Sequence, residues 1–170
     1  IDTLLAWAER KTGDGRPRTL YVWSCMAQQW GDELLESIPE LDGVAGVGGF
    51  DQLADAVLSP AADGPARLVD STPAVKIAGD RPRLRLDALP YSFLKIADGC
   101  DHRCAFCAIP RMKGPLRSVP REILLDEARA LIDSGVRELN LIAQDTAAYG
   151  RDLYDDYRLP DLLDQLLALE

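Results

Sequence analysis

The stretch SFLKIADGCDHRCAFC, residues 92–107, indicates both the fold of the second half of the chain and the place of its chemistry. Its first six residues, SFLKIA (92–97), have the apolar character of a buried strand. Cys100, Cys104 and Cys107 follow in a polar loop, spaced C-x3-C-x2-C with no fourth cysteine nearby. Clustered thiols of this kind are typical of metal or redox sites in a reducing compartment, not of a disulfide framework.

The residues after this loop continue an alternation of helices and strands. Residues 120–135 predict a helix, with Pro120 at its start and Gly135 at its end. Residues 136–144 predict the next strand, and a proline opens an amphipathic helix over 160–170. A strand, a loop and a helix repeated in this order predict the first part of a (β/α) barrel.

Barrel enzymes carry their functional residues in the loops that follow the strands. The cysteine loop and the segment QDTAAYG (144–150) both follow predicted strands. We therefore expect these two loops on the same face.

The first 58 residues predict a separate parallel α/β unit, because helix and strand patterns alternate along them. Asp2 and Asp51 stand where they would cap the first and third helices. The segment GVAGVGG predicts either a short strand or a glycine-rich turn. The predicted elements are helices over 2–11, 28–38 and 52–58 and strands over 19–24 and 43–49.

The predicted fold class is α/β throughout, with three parts. Residues 1–58 form a parallel α/β unit, which the resemblance described below implies is the carboxyl-terminal part of a domain, and residues 90–170 form the start of a (β/α) partial barrel. Residues 59–89 are rich in proline and include the charged stretch GDRPRLRLD, which is typical of a linker.

Composition narrows the partners and the location. The formal net charge of −9 argues against a broad nucleic-acid surface, which needs a basic face. No apolar run approaches the roughly 20 residues of a membrane span, and no secretory leader is evident, so a cytoplasmic protein is expected.

The cysteine loop admits two metal interpretations. An iron–sulfur cubane ordinarily takes four thiolates, so three in one loop leave one iron open to a substrate. A Cys3His zinc site using His102 is the alternative, since zinc accepts that ligand set. His102 lies two residues after Cys100, closer than zinc ligands usually are, and a solvent-facing or hydrogen-bonding role suits it better.

The segments LKIADGCDHRCAFCAIPRMKGPLRS (94–118) and LNLIAQDTAAYG (139–150) resemble the radical S-adenosylmethionine methylthiotransferases. Within that family, GCDHRC and AQDT are most similar to the branch that modifies an aspartate of small-subunit ribosomal protein twelve. WSCMAQQWGDELLESIPELDGVAG (23–46) is similar to the end of the family's amino-terminal domain. The resemblance covers nearly the whole chain and implies an internal piece of a longer enzyme.

The resemblance implies S-adenosylmethionine and two [4Fe–4S] clusters as cofactors. Cys100, Cys104 and Cys107 would hold the cluster whose open iron binds S-adenosylmethionine and cleaves it to a radical. Cys25, in SCMAQ, matches the last of three ligands of an auxiliary cluster, the others lying upstream of Ile1. Without the family, Cys25 is interpreted as a small buried side chain at the end of a strand.

The family also implies cofactor contacts and partners. Gln144 and Asp145 stand where this enzyme class binds the cofactor's amino group, although Asp145 with Thr146 equally suits a helix cap or turn. Phe106 would pack near the adenine or fill the core of the loop. No acid–base catalytic residue is predicted, because in this family a radical derived from the cofactor removes hydrogen from the substrate carbon. The expected partners are a ribosomal protein substrate and an electron donor such as flavodoxin or ferredoxin.

Two other functions stay open on the sequence alone. One is the tRNA-modifying variant of the same chemistry. The other is a non-catalytic zinc or iron–sulfur binding module.

Overall fold

A computed structural model describes residues 1–60, 64–70 and 89–169 of the chain. They form two compact units, the first made chiefly of 1–60 and 64–70 and the second of 89–110 and 115–169. Both combine helices with parallel strands, which confirms the predicted α/β class. Across the described ranges, no helix combines the length and the apolar character that a membrane span needs.

The first unit is a three-stranded parallel sheet with three helices. Tyr21 of β1 lies opposite Gly43 of β2, which in turn lies opposite Ala66 of β3. Val44 on the middle strand is fully buried among apolar residues of the first two helices. In chain order the elements are α1 (Asp2–Asp14), β1 (Tyr21–Trp23), α2 (Cys25–Ser37), β2 (Gly43–Ala45), α3 (Phe50–Leu58) and β3 (Ala66–Leu68).

The prediction that Asp2 and Asp51 cap helices was wrong. Ile1 occupies the N-cap position of α1, and its carbonyl accepts the first helical hydrogen bond. Gly49 occupies that position in α3, because its N–H closes a turn to Gly46 O at 3.0 Å and the helix begins directly afterwards. Both aspartates lie in the first helical turn, where a negative charge interacts favourably with the positive end of the helix dipole.

α2 begins at Cys25, earlier than the predicted start at residue 28. The side chain of Ser24 explains the difference, since its Oγ accepts a hydrogen bond from Ala27 N at 3.0 Å and caps the helix. Cys25 is therefore the first residue of a helix that directly follows β1.

One strand, β3, lies within the stretch that the sequence predicts as a linker. It completes the parallel sheet by pairing with β2. Residues 61–63 and 71–88 of the predicted linker lie outside the described residues. The domain boundaries themselves stay a prediction.

The second unit is built on one β-α-β crossover. β4 and β7 pair in parallel, with Tyr91 opposite Glu138 and Lys95 opposite Ile142, and α5 connects them. The predicted strand over 92–97 is divided, because Ala97 belongs to β5, which pairs antiparallel with β6, a strand that the sequence did not predict. The elements are β4 (Tyr91–Lys95), β5 (Ala97–Asp98), α4 (Ile109–Lys113), β6 (Arg117–Ser118), α5 (Arg121–Asp133), β7 (Glu138–Ile142), a 3-10 helix (Thr146–Ala148) and α6 (Leu159–Leu167).

The ends of α5 match the sequence pattern, whereas α6 ends at Leu167, before the predicted end at residue 170. Pro120 precedes α5, and Gly135 follows it with φ +94°, the left-handed conformation that favours glycine. Alternate residues of β4 are buried, and Leu94 is fully buried in a core shared with α5 and α6. One face of the β4–β7 pair thus packs against helices, as expected for the start of a barrel.

Tyr149 makes the stability of this core vary with pH in the alkaline range. The residue is fully buried, and its hydroxyl donates to Val119 O at 2.9 Å. Burial, and then nearby Tyr154 and Tyr157, raise the pKa of Tyr149 well above its ordinary value. The folded chain keeps this phenol protonated where the unfolded chain ionises it. The contribution of Tyr149 to the free energy of unfolding is therefore complete below about pH 10 and is lost as the pH rises further.

We expect Tyr149→Phe to flatten this pH dependence. The variant should cost about 1 kcal/mol near neutrality, because it loses one hydrogen bond, but should lose less additional stability at high pH. Urea unfolding of both proteins from about pH 8 to about pH 11 measures the two slopes. Parallel slopes would show that Tyr149 does not control the alkaline transition.

Candidate metal centre

The cysteine loop follows β5, the two-residue strand that begins two positions after the carboxyl end of β4. Asp98, nearly buried at 4% exposure, accepts a hydrogen bond from Gly99 N at 3.0 Å and pairs with Lys95. Gly99 has φ +73°, which lets the chain turn sharply from the strand into the loop. This turn places Cys100 directly beyond the strand end.

The three thiols of the loop are chemically suited to a metal cluster. Cys100, Cys104 and Cys107 are all free, and Cys104 is exposed while the other two are half-buried. Cys107 N donates to Cys104 O at 3.0 Å, so a tight turn joins the last two. Soft thiolate ligands favour iron–sulfur clusters or zinc, and accessible thiols can be loaded. The donor set therefore fits the cluster that the sequence predicts.

The zinc alternative would use His102 as its fourth ligand. Among the described residues, no group of three or more His, Cys, Asp or Glu side chains is gathered closely enough to hold a metal ion. His102 also points elsewhere, since its Nε2 lies 2.8 Å from Asp145 Oδ2.

Two contacts hold the loop from outside. Asp101 Oδ1 accepts a hydrogen bond from Leu116 N at 3.0 Å, which ties the loop to the residues before β6. The His102–Asp145 contact ties it to the loop after β7. The two loops therefore meet on one face, as predicted from their places after neighbouring parallel strands.

Asp145 is the charged residue of the second loop. It stands at the N-cap position of the 3-10 helix. The hydrogen bond with His102 lowers the pKa of Asp145, partial burial opposes the shift, and the amides of Ala148 and Ala147 lower the pKa further. The carboxylate is thus ionised near neutral pH, and its neighbour Gln144 is exposed. Asp145 therefore occupies a helix-cap position and also carries a negative charge.

Phe106 is 94% exposed between Cys104 and Cys107. It therefore does not fill the core of the loop, which was one of its two predicted roles. Packing near the adenine of a cofactor stays a prediction.

Cys25 belongs to the first unit, where it is half-buried at the start of α2. One turn further along, Gln28 fixes two neighbouring segments, since its Oε1 accepts from Val47 N at 3.2 Å and its Nε2 donates to Asp70 O at 2.8 Å. These bonds join the residues that follow β1, β2 and β3. The cysteine therefore lies at an ordered edge of the sheet, and its role as a cluster ligand stays a prediction.

Sequence reasoning missed the residues that position the loop. Asp98 lies just before the cysteine motif and Asp101 inside it, but neither carries a motif signal of its own. The partnership of His102 with Asp145 joins residues 43 positions apart. In the sequence, only the position of both loops after neighbouring predicted strands indicated that these two residues could meet.

Known proteins resemble the chain in sequence and in fold. Residues 94–168 match the model of the Radical SAM superfamily. A solved radical S-adenosylmethionine methyltransferase, TsrM from Kitasatospora setae with tryptophan and a cofactor analogue bound, aligns with a TM-score of 0.53 at 17% identity. The alignment covers 84% of this chain and 33% of that one, and it supports the fold.

Curated relatives match over the full length of the chain. Ribosomal protein uS12 methylthiotransferase RimO is 39% identical in Desulfitobacterium hafniense, 42% in Moorella thermoacetica and 43% in Desulforudis audaxviator. Each alignment covers 100% of this chain, which spans 38%, 38% and 37% of those relatives. The cysteine loop and the loop after β7 fall inside the matched superfamily region, which begins at Leu94 within β4. The chain belongs to the radical S-adenosylmethionine methylthiotransferase family.

Proposed function

We propose that this chain carries the cluster-binding part of a methylthiotransferase that adds a methylthio group to an aspartate of a small-subunit ribosomal protein. The observation that carries the proposal is the three-cysteine loop after β4, joined at 2.8 Å to the loop after β7. The names of the relatives support a ribosomal protein substrate over tRNA. Such a substrate implies a cytoplasmic enzyme.

Membership of this family implies a [4Fe–4S] cluster and S-adenosylmethionine. In the proposal, Cys100, Cys104 and Cys107 hold the cluster. When bound, a cluster with one iron free of protein thiolate supplies the electron that cleaves the cofactor. Flavodoxin or ferredoxin is the class of electron donor that we propose. Cys25 would contribute one ligand to a second, auxiliary cluster.

The second loop would orient the cofactor. The ionised Asp145 carboxylate and the exposed Gln144 amide suit the ammonium group of S-adenosylmethionine, because both present oxygen acceptors. The exposed ring of Phe106 offers an apolar surface to the adenine. These residues bind and orient, and none of them is required to move a proton.

Anaerobic reconstitution of the chain tests the proposal. We expect about four irons and matching sulfide per chain, with a reduced EPR spectrum that shifts when S-adenosylmethionine is added. Asp145→Asn should weaken the cofactor titration and leave the iron content unchanged, since it removes charge and not thiolate. Stoichiometric zinc without sulfide, or a cluster indifferent to the cofactor, would contradict the assignment.

A further inference from the structure

The contact between His102 and Asp145 joins the two loops at the candidate site. His102 lies between the first two cysteines of the motif, and Asp145 follows β7. An ionised carboxylate only accepts hydrogen bonds, so His102 Nε2 carries the proton that it shares with Asp145 Oδ2 over 2.8 Å. The imidazole is therefore a donor to the second loop.

The cysteine loop has little other support near its centre. Residues 101–106 are exposed, and Cys104 makes a backbone contact within the loop itself. Asp101 ties the loop to the residues before β6. Exposed loops held by few contacts open at low free-energy cost, so one charge-assisted hydrogen bond can decide their geometry.

We propose that His102 and Asp145 form a clasp that fixes the cysteine loop against the loop after β7. His102 is then a positioning residue for the thiols, and Asp145 is its anchor. The inference rests on the proposed function in one respect, namely that this loop carries the cluster. The clasp itself is a property of the chain without any cluster.

The clasp also explains why a histidine stands inside the motif without serving as a metal ligand. A pair of loops held together before loading presents the thiolates and the cofactor-binding edge in one arrangement. Binding to such a preformed site avoids the cost of ordering the loop at the moment of binding. We therefore expect loss of the clasp to weaken cofactor binding more than it weakens iron loading.

The first test uses the chain without cluster and measures amide hydrogen exchange by mass spectrometry. We expect His102→Ala and Asp145→Ala each to raise exchange in peptides covering 99–107 roughly fivefold, since the partly exposed bond contributes less than a tenfold population change. The double variant should exchange no faster than either single variant, because both remove the same interaction.

Two further variants serve as controls. His102→Gln keeps an N–H near the position of the imidazole Nε2 and should restore most of the protection. Arg103→Ala alters an exposed neighbour in the same loop and should leave exchange unchanged. Unchanged exchange in His102→Ala, or additive effects in the double variant, would overturn the clasp.

The second test follows iron, sulfide and the cofactor-shifted EPR spectrum after anaerobic reconstitution. We expect His102→Ala to need several-fold more S-adenosylmethionine for half of the spectral shift, with His102→Gln close to the parent chain. If the parent chain forms no cluster, the proposed function fails, while hydrogen exchange still decides the clasp. If the cluster forms and His102→Ala titrates like the parent, the positioning role fails alone.

Discussion

Replacing any one of Cys100, Cys104 or Cys107 with alanine should reduce the iron bound after reconstitution from about four per chain to nearly none. Each thiolate would hold a different iron, so loss of one leaves two irons without a protein ligand. The thiols are free and at most half-buried, so their removal leaves the hydrophobic core intact. The effect should therefore appear as lost cluster, not as lost fold.

Cys25→Ala provides the matched control, because Cys25 is the remaining cysteine of the chain and lies in the first unit. We expect this variant to keep the iron, the sulfide and the cofactor-dependent spectrum of the second unit. Iron and sulfide assays with far-UV circular dichroism on all four variants make the measurement. Retention of a full cluster in Cys104→Ala would show that the loop is not its ligand set.

Gly150→Ala should destabilise the second unit by roughly 3 kcal/mol. Gly150 has φ +81°, which disfavours any side chain. A Cβ there would also lie 2.6 Å from Tyr157 O, too close for a backbone oxygen to avoid without movement of the chain. The backbone strain at positive φ and the contact of Cβ with Tyr157 O both contribute to this loss of stability.

The surroundings of Gly150 make that movement costly. Its N–H donates to Ser118 Oγ at 2.9 Å, and Ser118 in turn donates from Oγ to Asp152 Oδ1 at 2.6 Å and from its backbone N to Oδ2 at 2.8 Å. Ser118 is 1% exposed, so displaced partners would be left unpaired away from water. A shift at Gly150 therefore disturbs β6 as well.

Gly135→Ala is the matched control for this prediction. Gly135 has a similar φ of +94°, yet an added Cβ there meets nothing within 4 Å. It should cost only about 1 kcal/mol of left-handed strain. Thermal unfolding should give a midpoint roughly 6–12 °C lower for Gly150→Ala and a few degrees lower for Gly135→Ala. Equal losses would mean that the contact with Tyr157 O yields easily.

The order of elements was largely readable from the sequence. The period-two burial of β4, the amphipathic α5 with Pro120 before it and Gly135 after it, and the cysteine spacing are local patterns. Such patterns can be recognised in the sequence because they involve residues that are close along the chain and therefore close in the structure. Some errors concerned ends, such as the α2 start at Cys25, where the Ser24 side chain decided the boundary. Others concerned very short strands, β3 and β6, whose existence depends on pairing with a distant strand.

The sequence by itself determined the α/β class, the three thiols in one loop and the place of that loop after a strand. Only the tertiary structure decided which distant side chains meet, namely His102 with Asp145 and Ser118 with Asp152, 43 and 34 positions apart. The physical reason is that such contacts depend on strand order and register. The parallel pairing of β4 with β7 brings the two strand ends, and hence the two loops, to one edge.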